Sequence, residues 1–151
     1  MSQSLSKLHL HLIFRVKNKS VHIKPQDSPD FFAYIGSIIK ANGSIPIVIN
    51  GPGDHIHILC VMSKNISLAK LVEEIKHHSS RWIKTRGLHY QNFAWQGGYD
   101  GFSVSPSIHD QVKRYIQNQL EHHRKKTFTE ELVEFLVKHN IEYNEQYLWT
   151  D

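Results

Sequence analysis

The feature that most constrains this chain is the order in which its apolar periodicity changes. Side chains alternate across a strand with period two and recur every three to four residues along a helix, so each change of period marks a new element. Leu8 to Val16 reads as a strand. After a turn around Pro25 and Pro29, Phe31, Tyr34, Ile35, Ile38 and Ile39 recur at helical spacing from about Asp30 to Ala41, and Asn42-Gly43 stops the helix. Ser44 to Ile49 and His55 to Met62 are β-rich runs separated by Asn50-Gly51-Pro52-Gly53-Asp54, a segment of turn formers that marks a hairpin. Ser67 is the expected N-cap of a helix to about Thr85, whose stripe is Leu68, Leu71, Val72, Ile75, Ser79, Trp82 and Ile83. Phe93-Ala94-Trp95 and Phe102 to Ser105 read as strands on either side of a glycine-rich bend. Two further helices are expected: Ser107 to His123, with Ile108, Val112, Ile116 and Leu120 on its buried side, and Thr129 to His139, capped by Thr129 ahead of Glu130 and Glu131.

The resulting order, β-α-β-β-α-β followed by extra helices, is the split β-α-β pattern of ferredoxin-like α+β folds. It predicts an antiparallel sheet with helices on one face and a second face open for chemistry, approached by the helix after the last strand. The 151 residues suit a single domain, 1–151, in which roughly 68 to 70 percent of the unfolded surface becomes buried. Eighteen Lys and Arg against 14 Asp and Glu give a net charge of +4, a mild tilt toward polyanions. Cys60 is the only cysteine, which excludes an internal disulfide and Cys-based zinc cages; in Ile58-Leu59-Cys60-Val61 it reads as a small buried hydrophobe. The chain shows neither a secretion signal nor the ~20 apolar residues of a membrane span, so a cytoplasmic protein is expected.

Twelve histidines are the other departure from ordinary composition, because imidazole is a common metal ligand and proton carrier. In Asp54-His55-Ile56-His57-Ile58, strand alternation sends His55 and His57 to one face and the isoleucines to the other, placing both imidazoles within reach of one divalent ion. His9-Leu10-His11 repeats the motif on the strand expected beside it, so His11 either neighbours the site or simply sits in the sheet; spacing does not choose between the pairs. Tyr115 and Gln119 stand one helical turn apart beside the apolar stripe. A phenol with a pKa near 10 attacks phosphorus only with help in losing its proton and with charge neutralisation at the phosphate. Read blandly, the His-x-His is the polar half of an amphipathic strand and Tyr115 a boundary residue with a packed ring.

These residues together resemble the HUH single-tyrosine transposases of the smallest bacterial insertion sequences and their repeat-associated relatives, over nearly the whole chain. The likeness rests on Asp54-His55-Ile56-His57 after a Gly-Pro hairpin, and on Lys76 and Ser79-Ser80. It rests also on Trp95-Gln96-Gly97-Gly98-Tyr99 with Gly101-Phe102-Ser103-Val104-Ser105, and on Tyr115-Ile116-x-x-Gln119 ahead of His122-His123. The resemblance implies that His55, His57 and Gln119 bind a divalent cation, magnesium or manganese. It implies that Tyr115 is the nucleophile, forming a 5′-phosphotyrosine on single-stranded DNA that carries hairpins, and that the protein is a homodimer in which active sites can be shared. Lys76, Arg81, Lys84 and Arg124 are the expected DNA contacts. The rival readings are a non-catalytic single-strand nucleic-acid module and a metal-dependent nuclease that uses water and leaves Tyr115 dispensable.

Overall fold

The computed structural model describes residues 2–123 and 125–151. Its first six strands and α-helices are β1 (Leu8–Arg15), α1 (Ser28–Ala41), β2 (Ile45–Asn50), β3 (His55–Met62), α2 (Leu68–Lys84) and β4 (Asp100–Ser103). The four strands form one sheet in the order β2-β3-β1-β4, with every neighbouring pair antiparallel. This is the α+β, ferredoxin-like arrangement that the periodicity predicts. The remaining helices are α3 (His109–Gln117), α4 (Gln119–His122), α5 (Phe128–Lys138) and α6 (Glu145–Leu148).

One sheet face is dry. Leu12 and Phe14 of β1 lie with Ile56, Ile58 and Cys60 of β3 against Phe31, Ile35 and Ile39 of α1 and Leu71, Val72 and Ile75 of α2. Ser67 caps α2 by accepting from the Lys70 amide at 3.1 Å, as its position before the stripe predicts. Pro29 occupies the first turn of α1, where its missing N–H costs nothing. Burial pushes the Cys60 thiol up to about 12, the behaviour of an inert core residue.

The hairpin turn between β2 and β3 needs its glycines. Gly53 has φ +112, and a Cβ at Gly51 would lie 2.1 Å from the His55 carbonyl oxygen. The turn is locked from outside by Ile23 N–H donating to Gly53 O and Val16 N–H donating to Asp54 O, both at 2.9 Å, so the start of β3 is fixed where the first histidine stands.

Four local expectations are corrected. Phe93-Ala94-Trp95 is not a strand but a loop joined to β1 by one bridge, Val16 to Trp95. Its rings enter the dry core instead, Trp95 meeting Phe14 edge-on at 4.9 Å and donating its indole N–H to Ser79 Oγ at 3.0 Å. The helix expected over Ser107 to His123 breaks at Asn118, where the Asn50 side chain takes the carbonyls of Ile116 and Gln117 at 3.0 and 3.1 Å. Past that break Leu120 is 65% exposed rather than buried. The cap of α5 is Thr127, accepting from the Glu130 amide at 3.2 Å, not Thr129, so the helix starts earlier and carries Glu131 in its first turn.

The second sheet face is covered as well. Ile13 and Phe102 pack with Leu132 and Leu136 of α5, while Leu59 packs with Val104 and Ile116 of α3. Residues 149–151 return to β1: Arg15 donates to the Trp149 carbonyl at 2.8 Å and approaches the Asp151 carboxylate at 3.4 Å. No helix among the described residues is long and apolar enough to cross a membrane.

Candidate metal and tyrosine site

Opposite residues in an antiparallel pair share a face, and the register sets Ile13 against His57 and Arg15 against His55. His55 and His57 therefore point away from the dry core, under α3, α4 and α5, and are 1% and 0% exposed. The face expected to be open is roofed by these helices. Each imidazole is oriented through its far nitrogen. His55 Nδ1 meets Asp54 Oδ1 at 2.7 Å, and His57 Nδ1 meets His11 Nε2 at 2.8 Å. Such outer contacts set the tautomer and turn the Nε2 atoms inward. The ambiguity over His11 is thereby resolved: it lies in the sheet and supports His57.

The centre of the cluster is Glu131, which the residue pattern alone did not single out. Its Oε1 lies 2.9 Å from His57 Nε2, 3.3 Å from His123 Nε2 and 3.5 Å from His55 Nε2. Its Oε2 accepts from the Tyr115 hydroxyl and from Gln119 Nε2 at 3.3 Å, with His122 Nε2 at 3.1 Å. The Tyr115 hydroxyl also meets His122 Nε2 at 3.2 Å, and the Tyr115 and His57 rings are 5.8 Å apart edge to face. Tyr115, His55, His57 and Gln119 thus converge within one chain.

A divalent cation fits here on two grounds. His55, His57, His123 and Glu131 offer four donor atoms all within 4.8 Å of one another. Gln119 is fully buried and its Oε1 has no hydrogen-bond partner, an acceptor at the edge of the cluster whose need a cation would meet. The electrostatics are those of crowded, desolvated groups. Burial opposes the charged form of His55, but hydrogen bonds to Asp54 and Glu131 outweigh it and raise its pKa. Burial brings His57 down to about 4 against the opposing pull of Glu131, and burial with His57 nearby takes His11 well below its usual value. Burial alone would raise Glu131, yet the hydrogen bonds from His55 and His57 hold it below the ordinary carboxylate range. Burial and then the Glu131 charge push the Tyr115 phenol well up, so without added positive charge it keeps its proton.

Three of the expected DNA contacts, Lys76, Arg81 and Lys84, are not part of this cluster. Lys76, Arg81 and Lys84 belong to α2, which packs on the opposite sheet face. Lys76 donates to the Gln96 and Gly98 carbonyls at 2.7 and 2.6 Å, and burial lowers its pKa to about 8. Arg81 and Lys84 are exposed, and Arg124 lies outside the described residues. Glu131 did leave a trace in the sequence: within α5 an acidic side chain occupies the stripe otherwise made by Phe128, Leu132, Phe135 and Leu136.

A tyrosine and a metal-competent His-x-His strand on one face of a split β-α-β sheet define a class of protein suited to phosphodiester chemistry. Residues 4–119 match the family described as "Transposase IS200 like", and the chain belongs to that family. Two solved structures share its fold. One is a candidate transposase from Deinococcus radiodurans R1, at 21% identity and TM-score 0.60, covering 79% of this chain and 98% of its own. The other is a REP-associated tyrosine transposase bound to a REP hairpin, at 13% identity and TM-score 0.59, covering 82% and 74%. No curated protein sequence matches the chain.

Proposed function

We propose that this transposase cuts and rejoins single-stranded DNA at hairpin-bearing ends through a 5′-phosphotyrosine on Tyr115. The observation that carries the reading is the Tyr115 hydroxyl lodged in the same buried cluster as His55, His57 and the orphaned amide oxygen of Gln119. In this reading His55, His57 and Gln119 hold magnesium or manganese. When bound, the cation supplies positive charge that neutralises the phosphate oxygens and offsets the Glu131 charge that holds the phenol protonated. Tyr115 Oη forms the new bond to phosphorus as the bond to the 3′ oxygen breaks. The phenol proton passes to Glu131 Oε2 or His122 Nε2 and from there to the departing oxygen, which leaves as a 3′-hydroxyl. Because the covalent link conserves the phosphodiester's energy, attack by a different 3′-hydroxyl reverses the step without a nucleotide cofactor.

Single hydrogen bonds between Asp54 and His55 and between His11 and His57 fix the ring planes in advance, so the site needs little reorganisation when substrate arrives. The exposed Arg81 and Lys84 serve as phosphate contacts behind the sheet, remote from cleavage. The protein acts as a homodimer, and with Tyr115 beside its own chain's histidines the site is complete without exchange of helices. The test is incubation of labelled hairpin oligonucleotides with Mn2+ or EDTA, comparing wild type, Tyr115→Phe and His57→Ala on a denaturing gel. A metal-dependent protein-DNA adduct lost in both variants supports the reading. Cleavage that survives Tyr115→Phe identifies a nuclease using water instead, and binding without cleavage identifies a nucleic-acid-binding module.

A further inference from the structure

We propose that Glu131 is itself a ligand of the cation, supplied by α5 from beyond the stretch of chain, residues 4–119, that matches the family. The proposal rests on the metal-dependent reading above. It begins with the cost of the carboxylate's position. Glu131 is 1% exposed, and a carboxylate removed from water persists only when strongly paired. Every ion-pair partner it has among the described residues is an imidazole: His55, His57, His122 and His123. Imidazole, unlike guanidinium or ammonium, is itself a cation ligand, so this carboxylate is buried among groups able to share one ion with it.

The spacing supports the same conclusion. Ligands with bonds of ~2.0–2.2 Å to one ion stand roughly 3 to 3.5 Å from their neighbours in the shell. Glu131 Oε1 is 2.9 Å from His57 Nε2 and 3.5 Å from His55 Nε2, so it already has the separation of a neighbouring ligand. The carboxylate is also divided in function. Oε1 faces His55, His57 and His123, while Oε2 meets His122 and accepts from the Tyr115 hydroxyl, so one side chain ties the ion to the attacking phenol. Imidazole nitrogens with a carboxylate oxygen favour manganese over magnesium, which prefers oxygen ligands alone.

The opposite role is a plug, a carboxylate that fills the ion's place and must leave before it binds. The two roles predict opposite signs. Mn2+ is titrated calorimetrically into the full chain as wild type, Glu131→Gln, Glu131→Ala and His57→Ala, and each melting temperature is recorded in EDTA and in Mn2+. As a ligand, Glu131 makes the Ala variant bind at least about tenfold more weakly, with Gln between it and wild type, and makes the Mn2+-induced rise in melting temperature shrink in that order. Melting in EDTA falls in the Ala variant, which loses the hydrogen bonds to His57 and Tyr115, so each Mn2+-induced rise is read against that variant's own EDTA value. Equal or tighter Mn2+ binding by both Glu131 variants, with binding lost in His57→Ala, overturns the role of Glu131 and leaves the metal site standing. Wild type that binds no Mn2+ overturns both.

Discussion

The two faces of the sheet obey opposite rules. On the face beneath α1 and α2, Phe14, Ile56 and Ile58 are fixed by shape alone, and the buried Trp95 indole finds its partner in Ser79. On the other, His55, His57, Gln119 and Glu131 are equally buried but held by hydrogen bonds, each depending on its partners' protonation. A strand such as β3 supplies both environments by alternation. The dry face sets whether the chain folds, and the polar face sets what the folded chain does. The division is open to attack in order of expected effect.

Phe14→Ala should cost about 3–5 kcal/mol in denaturant unfolding, the range for a large core truncation, while the folded fraction binds Mn2+ as wild type does. A changed ion affinity would show that the faces are coupled. His57→Ala should lower adduct formation by roughly 10²–10³-fold or more in a gel time course, the scale for losing one charge-stabilising group, in a protein that still folds. Asp54→Asn, which weakens the partner of His55 Nδ1 at 2.7 Å, should weaken Mn2+ binding by about 10–100-fold in calorimetry.

Acid should act through the same ring. His55 titrates above its ordinary 6.5 because hydrogen bonds to Asp54 and Glu131 outweigh burial, so as pH falls below that raised value protons compete with the ion first at His55. Apparent Mn2+ affinity should drop about tenfold per pH unit there, and His57 should add a second proton only near 4. A flat profile between pH 8 and 5 would remove His55 from the ligand set. Thr127→Ala, which uncaps the turn carrying Glu131, should cost about 1 kcal/mol of stability by thermal melting, the smallest effect of the series.

What the sequence disclosed follows the same division. The order of strands and helices was legible because burying a face imposes a period on the residues that do it, and β3 shows both periods at once. Spacing pairs His55 with His57 and Tyr115 with Gln119, but it was the family resemblance that preferred the first pair to His9 and His11 and joined the two pairs in one site. Glu131 could not be singled out, since an acidic residue in the first turn of a helix already has an ordinary reading as a partner of the helix dipole. Its burial depends on how α5 packs over Ile13 of β1 and Phe102 of β4, which no local pattern encodes. The break at Asn118 was hidden for a similar reason, because the group that takes up the freed carbonyls is Asn50, on a different strand.

The return of residues 149–151 to Arg15 bears on how the protein is handled at the bench. Arg15 stands opposite His55 in the sheet and grips the Trp149 carbonyl, while Trp149 packs beneath α5 with Leu132 and Leu136. A proteolytic clip after Leu148 would release both the guanidinium and the underside of the helix that carries Glu131. Preparations trimmed to different extents would then differ from batch to batch in how firmly Glu131 is held.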